Sequence, residues 1–196
     1  MLYPTQILEQ LDQNTGVVSI QTLLEQGLSY HFIKKNVVQG RLLKLKQGVY
    51  KWANEETNEL VEVAFMVPKG VFCLQTACFY YGLTTNVASE YHIAIPDMRR
   101  VTIPNYPPVK IYYWNNISYN LGISTVALDN QAIKIYDLEK TVCDTLRYRQ
   151  KIGFDIVKEV LKNYLKHPDR NLSRLNNYAR QLNIQNKVDE FIKILL

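Results

Sequence analysis

The residues best suited to chemistry are carboxylates in the last third of the chain, where Asp137, Glu139 and Asp144 form the densest acidic group. Two-metal hydrolysis would need such carboxylates to converge on the ions. The same residues also fit a helix start, with Asp137 as the N-cap and Glu139 placed favourably against the helix dipole. We therefore interpret the group as structural.

Other catalytic and metal-binding patterns are missing from the sequence. His31, His92 and His167 lie in three separate regions, and none has a partner at metal-ligand spacing. There is no phosphate-binding GxxxxGK[ST] or GxGxxG, and no lysine follows an acid by two residues as in many metal-dependent nucleases. The sequence predicts no enzyme, no metal site and no cofactor.

A basic segment is the strongest functional signal. Six Lys or Arg and no Asp or Glu lie between Leu28 and Lys51, whereas residues 55–62 hold four Glu and no Lys or Arg. Within the segment, GRLLKLKQGVYK (40–51) has strand-like alternation interrupted by Gln47-Gly48, which is typical of a tight reversal. The sequence predicts a β-hairpin, apolar on one face, with four cations on or near the other: Arg41, Lys44, Lys46 and Lys51.

Three short helices are predicted before this hairpin. Thr5, Ser19 and Ser29 are suitable N-caps, while Gly27 and Gly40 are suitable stops for the second and third helices. Three helices and a hairpin within about 52 residues follow the order of a winged helix-turn-helix, whose third helix enters the DNA major groove.

The third of these helices would have a basic face beside an apolar one. Four side chains at i, i+3, i+4 and i+7 share the basic face: His31, Lys34, Lys35 and Val38. The apolar face is suited to burial: Tyr30, Ile33 and Val37. The predicted DNA-contacting set is Ser29, Tyr30, His31, Lys34, Lys35, Arg41, Lys44, Lys46, Gln47 and Lys51. The alternative is a solvated basic face on a small helical domain.

The rest of the chain divides into a mixed region and a helical one. Residues 55–136 contain two predicted helices, ETNELVEVAFMV and VFCLQTACFYYGL, and three β-rich runs, EYHIAIP, VKIYYW and QAIKIYDL. Residues 137–196 have helical spacing throughout. We predict an α+β protein: a winged helix-turn-helix domain at 1–54, then a second domain at 55–196 that ends in a helical bundle.

Two further groups of side chains leave alternatives open. One is aromatic and could stack nucleic acid bases, although aromatic residues on strands are more often core residues: Tyr106, Tyr112, Tyr113, Trp114 and Tyr119. The other is basic and forms either a surface for nucleic acid or an acidic partner, or cations favoured at helix ends: Arg147, Arg149, Lys151, Lys158, Lys162 and Arg174.

Composition is that of a globular protein, with 47% hydrophobic residues, 21% charged residues and a net charge of +5. The three cysteines are odd in number and lie in apolar surroundings, which favours buried thiols in a reducing compartment. The start, MLYPTQILEQLDQ, lacks signal-peptide features, and VEVAFMVP is too short to span a bilayer. We expect a cytoplasmic protein that has no membrane partner.

Three segments of the chain together resemble the AbiEi antitoxins of bacterial type IV toxin–antitoxin systems. They are the basic N-terminal region, VFCLQTACFYYGLTT followed by a strand ending in IAIP, and IKIYDLEKTVCDTLRYR. The last segment is the most specific of the three. The resemblance covers the full length.

This resemblance implies an antitoxin that also represses its own operon in phage abortive infection. The winged helix would bind inverted repeats in its own promoter, cooperatively and as a monomer or weak dimer. The second domain would counter a nucleotidyltransferase toxin without a stable complex. Two alternatives stay open: a stand-alone regulator whose second domain senses a small molecule, and a nucleic-acid-modifying enzyme with a winged-helix targeting domain.

Overall fold

The computed structural model describes residues 16–98, 100–103 and 106–195 of the 196-residue chain. These residues form a mixed α+β protein with two β-sheets. They divide into two compact units. The first takes 16–69, 101–103, 106–107 and 126–133, and the second takes the remaining described residues. The predicted helix capped by Thr5 lies outside the described residues.

The N-terminal part of the first unit alternates short strands and helices. In chain order these are β1 (Val17–Ser19), α1 (Ile20–Glu25), α2 (Tyr30–Val38), β2 (Leu42–Lys46), β3 (Val49–Trp52) and α3 (Glu59–Met66). The three strands form an antiparallel sheet in the order β1-β3-β2. Strand β1 was not predicted, because a strand of three residues is too short for the alternation of apolar and polar residues to be recognised. The hairpin and the two helices agree with the prediction, and both helices begin after the predicted serine caps.

The larger sheet has five strands in the order β6-β5-β4-β8-β7. Its elements are β4 (Val71–Phe72), α4 (Leu74–Tyr80), β5 (Tyr91–Pro96), β6 (Val109–Trp114), α5 (Asn116–Asn120), β7 (Ile123–Leu128) and β8 (Gln131–Tyr136). Strand β4 is antiparallel to β5 and parallel to β8, and β5 is parallel to β6. The prediction that VFCLQTACFYYGL is entirely helical is therefore wrong at its start. Val71 and Phe72 pair with β5, Phe72 also pairs with β8, and the helix begins only after Cys73.

The C-terminal region is helical, as its spacing predicted. It contains α6 (Leu138–Arg147), α7 (Arg149–Ile152), α8 (Phe154–Lys166), α9 (Leu172–Gln181) and α10 (Gln185–Leu195). One hydrophobic core joins α6 to α8, α9, α10 and the end of α4, with Val142, Leu146, Val160 and Leu175 among its buried members. Helix α6 is central to this core, since every residue from Leu138 to Leu146 is buried.

The first unit extends beyond the predicted domain boundary at residues 54 and 55, because it includes α3. The physical reason is a pair of contacts from the hairpin. Lys51 forms an ion pair with Glu62 at 2.7 Å, and the Lys46 ammonium donates to the Met66 carbonyl at 2.6 Å. The acidic segment after the hairpin therefore lies in the same unit as the basic segment.

All three cysteines are free and buried, as the sequence indicated. Burial raises the pKa of the Cys78 thiol to about 12 and also raises the pKa of Cys73. Across the part of the chain that the structure describes, no helix is long and apolar enough to cross a membrane.

Gly122 is a position where any side chain should disturb the second unit. Its φ is +72°, and a Cβ there would lie 2.7 Å from the Lys140 Cβ. We expect Gly122→Ala to lower the free energy of unfolding by roughly 2–5 kcal/mol, through left-handed strain plus overpacking. Urea denaturation would measure this loss. The matched control is Gly82→Ala, which has a φ of +64° but nothing within 4 Å of the added Cβ. Equal losses in the two variants would contradict the overpacking.

Candidate nucleic-acid interface

Helix α2 is held in place from its buried side. The Ser29 hydroxyl accepts from the Phe32 amide at 3.2 Å and caps the helix. Ile33 is buried in the core of the first unit, with Val37 partly buried against it. The Asn36 side chain is also buried and donates to the Phe32 carbonyl at 2.8 Å. These contacts fix which face of the helix is exposed.

The exposed face of α2 contains the predicted basic side chains. His31, Lys34 and Lys35 are all exposed. Val38 is 80% exposed, which is high for a branched apolar side chain. Tyr30 is 66% exposed, so its predicted place on the buried apolar face is wrong. Tyr30 shares its helical face with Ile33 and Val37, but it is the first residue of the helix and remains exposed there.

The hairpin contributes two cations to the exterior of the first unit. Arg41 is exposed directly after α2. Lys44 is exposed on β2, and its ammonium donates to the side chain of the exposed Gln47 at 2.8 Å. These residues and the exposed face of α2 are separated by only a few residues of chain.

The other two hairpin cations point elsewhere. The Lys51 ammonium is bound to Glu62, whose carboxylate also accepts from the Thr57 hydroxyl at 2.5 Å. Lys46 is bound to the end of α3 through the Met66 carbonyl. The prediction that all four cations project from the hairpin therefore needs correction. Lys46 and Lys51 attach the hairpin to α3.

The three acidic residues of the IYDLEKTVCD segment are structural. Asp137 caps α6 by accepting from the Lys140 amide at 2.8 Å, and its second oxygen accepts from the Tyr178 hydroxyl at 2.8 Å. Glu139 is buried and accepts from the Asn171 amide at 2.8 Å and from Arg174 at 3.3 Å. Within the described residues, no three His, Cys, Asp or Glu side chains are grouped so that they could hold a metal ion.

Asp144 and Lys140 form a fully buried ion pair one helical turn apart. The Lys140 ammonium also lies 4.2 Å from the ring centroids of Trp114 and Tyr136. The second Asp144 oxygen accepts from Arg147 at 3.1 Å. Burial raises the pKa of Asp144 and lowers the pKa of Lys140, and the ion pair opposes both shifts. Sequence reasoning missed Lys140, because an isolated lysine in a helix normally faces solvent.

The predicted basic cluster of the second unit separates into two kinds of residue. Arg147 and Arg174 neutralise the buried carboxylates of Asp144 and Glu139. Arg149 donates to the Leu146 carbonyl at 3.4 Å and is partly buried. The remaining three are exposed: Lys151, Lys158 and Lys162. Arg174 is exposed as well, but its guanidinium binds Glu139, so these three lysines are the exposed members of the set that form no ion pair with the described residues.

The predicted aromatic platform is not present as a continuous row. Trp114 and Tyr119 are buried. Tyr112 is partly buried and packs edge-on against Tyr148. Tyr113 is exposed, as is Tyr106, whose hydroxyl donates to Glu59 at 2.8 Å. The structure thus favours the interpretation of these residues mainly as core and sheet-face residues.

Comparison with known proteins gives evidence about the fold alone. No family model and no curated protein matches the chain. Among solved structures, the crystal structure of the RV2827C protein from Mycobacterium tuberculosis is similar, with a TM-score of 0.52. The alignment covers 97% of this chain and 80% of that one at 10% sequence identity. At this identity the likeness concerns the mixed α+β fold.

Removal of one partner of the buried ion pair should destabilise the second unit. Lys140→Ala leaves the Asp144 charge without its main partner, and we expect a loss of about 3–5 kcal/mol in the free energy of unfolding. The matched control is Lys134→Ala on β8, where the lysine is exposed and the loss should stay within about 0.5 kcal/mol. Urea denaturation measures both variants. Similar stability of the two would contradict the assignment of Lys140 to the core.

Proposed function

We propose that the first unit binds duplex DNA, with α2 in the major groove and the β2–β3 hairpin beside it as the wing of a winged helix-turn-helix. The observation that supports this is the exposed face of α2. Its charged and hydrogen-bonding side chains are His31, Lys34 and Lys35. For these three, no intramolecular hydrogen bond or ion pair is found with the described residues, so they are available to an external partner.

The dimensions of α2 suit this role. An α-helix with its side chains is about 10–12 Å across, which fits the roughly 12 Å width of the major groove. The N-terminal end carries no acid in its first turn, so its dipole and free amides also favour a phosphate. From Leu28 to Lys51 the chain contains no Asp or Glu that would repel the DNA backbone.

The proposed contacts fall into two classes. Base edges are assigned to the exposed face of α2, because base readout requires an element inside the groove. Phosphates are assigned to Arg41 and Lys44, which are exposed beside that helix. Ser29, Tyr30 and Gln47 are exposed next to these groups and complete the set. Lys46 and Lys51 are left out, since both are bound to α3.

The two classes predict different losses of affinity. Lys35→Ala should weaken binding to the promoter of the protein's own operon by about 1–3 kcal/mol and relax the preference at one base position. Lys44→Ala should weaken all sequences similarly and lower the slope of log affinity against log salt by about one unit. Titrations at several salt concentrations measure both effects. The matched control is Lys134→Ala, which removes one exposed lysine from the larger sheet. Wild-type affinity of an Arg41→Glu, Lys44→Glu variant would show that the hairpin does not touch DNA.

We further propose that the protein is the antitoxin and autorepressor of a type IV toxin–antitoxin operon. Support comes from the resemblance of IKIYDLEKTVCDTLRYR to the AbiEi family, together with a basic unit suited to a promoter. Repression would come from the first unit, and the second would counter the nucleotidyltransferase toxin without a stable complex. The surface proposed for that protection is the exposed group Lys151, Lys158 and Lys162, since Arg147, Arg149 and Arg174 are engaged within the fold.

The role of this exposed group in protection against the toxin can be tested separately from its effect on the stability of the protein. Replacing Lys151, Lys158 and Lys162 together by Ala should lower the melting temperature by less than about 5 °C, because the three side chains are exposed and lose only the contacts of Lys151 with the Tyr148 ring and of Lys158 with the Phe154 ring. Rescue of cells that express the nucleotidyltransferase encoded beside this protein should be lost. The control replaces three exposed cations elsewhere in the second unit: Lys134, Arg180 and Lys193. A stable triple variant that still rescues would remove the group from the proposal.

A further inference from the structure

The side chain of Val38 has no evident structural role in the first unit. It is 80% exposed in the last turn of α2, while Ile33 and the partly buried Val37 supply the apolar contacts of this helix. A branched side chain is also a poorer helix former than alanine. Isolated exposed apolar residues are common, so exposure alone decides nothing. The surroundings of Val38 are what distinguish it.

Val38 lies among cations that the proposed function directs into the major groove. It follows Lys34 by four residues and Lys35 by three, so these three side chains share one face. Arg41, exposed just beyond the helix end, is close in sequence on the other side. An apolar side chain bordered by cations would meet the base edges of DNA whenever the cations meet its phosphates and bases.

The major groove presents one apolar group at base edges, the C5-methyl group of thymine. We propose that Val38 is a specificity-determining residue that packs against a thymine methyl group in the operator; this rests on the proposed DNA binding by α2. Neighbouring side chains on one helical face are about 5–6 Å apart, and bases along one strand are about 3.4 Å apart. The thymine therefore lies one or two base pairs from the base that Lys35 contacts.

The test compares thymine with uracil, which lacks only the methyl group. The full-length protein selects binding sites from a random 20-bp duplex library, and the most enriched duplex is then synthesised with each thymine replaced singly by deoxyuridine. At one position in each half-site, wild-type affinity should fall about fourfold, the effect of removing one buried methyl-sized group. Replacement of the other thymines should change affinity less than twofold.

The Val38→Ala variant completes a double-mutant cycle with the same duplexes. It should bind the thymine duplex about as weakly as the wild type binds the uracil duplex, and it should no longer distinguish the two. Val87→Ala is the matched control, because Val87 is a 69% exposed valine in the second unit. Its affinity and its thymine preference should equal those of the wild type. Neither variant should unfold at a lower temperature than the wild type, since neither side chain is buried.

The possible failures are distinguishable. If the library yields no enriched sequence and no duplex is bound, DNA binding by this protein is refuted. The proposed role of Val38 is then refuted as well. If a sequence is enriched but deoxyuridine at every position binds like thymine, DNA binding stands and the role of Val38 is refuted. A Val38→Ala variant that keeps the wild-type preference for thymine would equally refute it.

Discussion

The stability of the second unit depends on an ion pair that is fully buried. Lys140 and Asp144 face each other one turn apart on a helix whose residues are buried from Leu138 to Leu146. A buried ion pair stabilises a fold only when its geometry is good and its remaining donors and acceptors also have partners. Here two aromatic rings flank the ammonium, and Arg147 binds the second carboxylate oxygen. The sheet that supplies those rings and the helix that supplies the ions therefore stabilise each other.

The same helix is tied to the rest of its bundle by its two other carboxylates. Asp137 accepts from Tyr178 on α9, and Glu139 accepts from the Asn171 amide that precedes the same helix. Polar residues in IYDLEKTVCD thus specify how α6 is oriented among its neighbours, with hydrophobic contacts supplying the bulk of the burial. The IYDLEKTVCD segment is therefore an element that organises the fold of the second unit.

Local features were the ones that the sequence predicted well. Ser19 and Ser29 cap helices because their hydroxyls reach amides three residues ahead, and Gln47-Gly48 turns a hairpin within its own neighbourhood. Features that depend on distant partners were missed. Nothing near Lys51 in sequence indicates Glu62, and nothing near Lys140 indicates Trp114. For this reason two of the four cations predicted on the exposed side of the hairpin, Lys46 and Lys51, are bound to α3 instead. The predicted basic face of α2 is exposed as expected.

In helix α2, the residues that anchor the helix differ from the exposed lysines. Ser29, Ile33 and Asn36 hold it in the fold, while Lys34 and Lys35 are exposed and make no contribution to the core. Substitutions on the exposed side therefore leave folding almost untouched. Copies of this gene within one genome could diverge in that face alone. The exposed residues of those copies would then differ on a scaffold that had not changed.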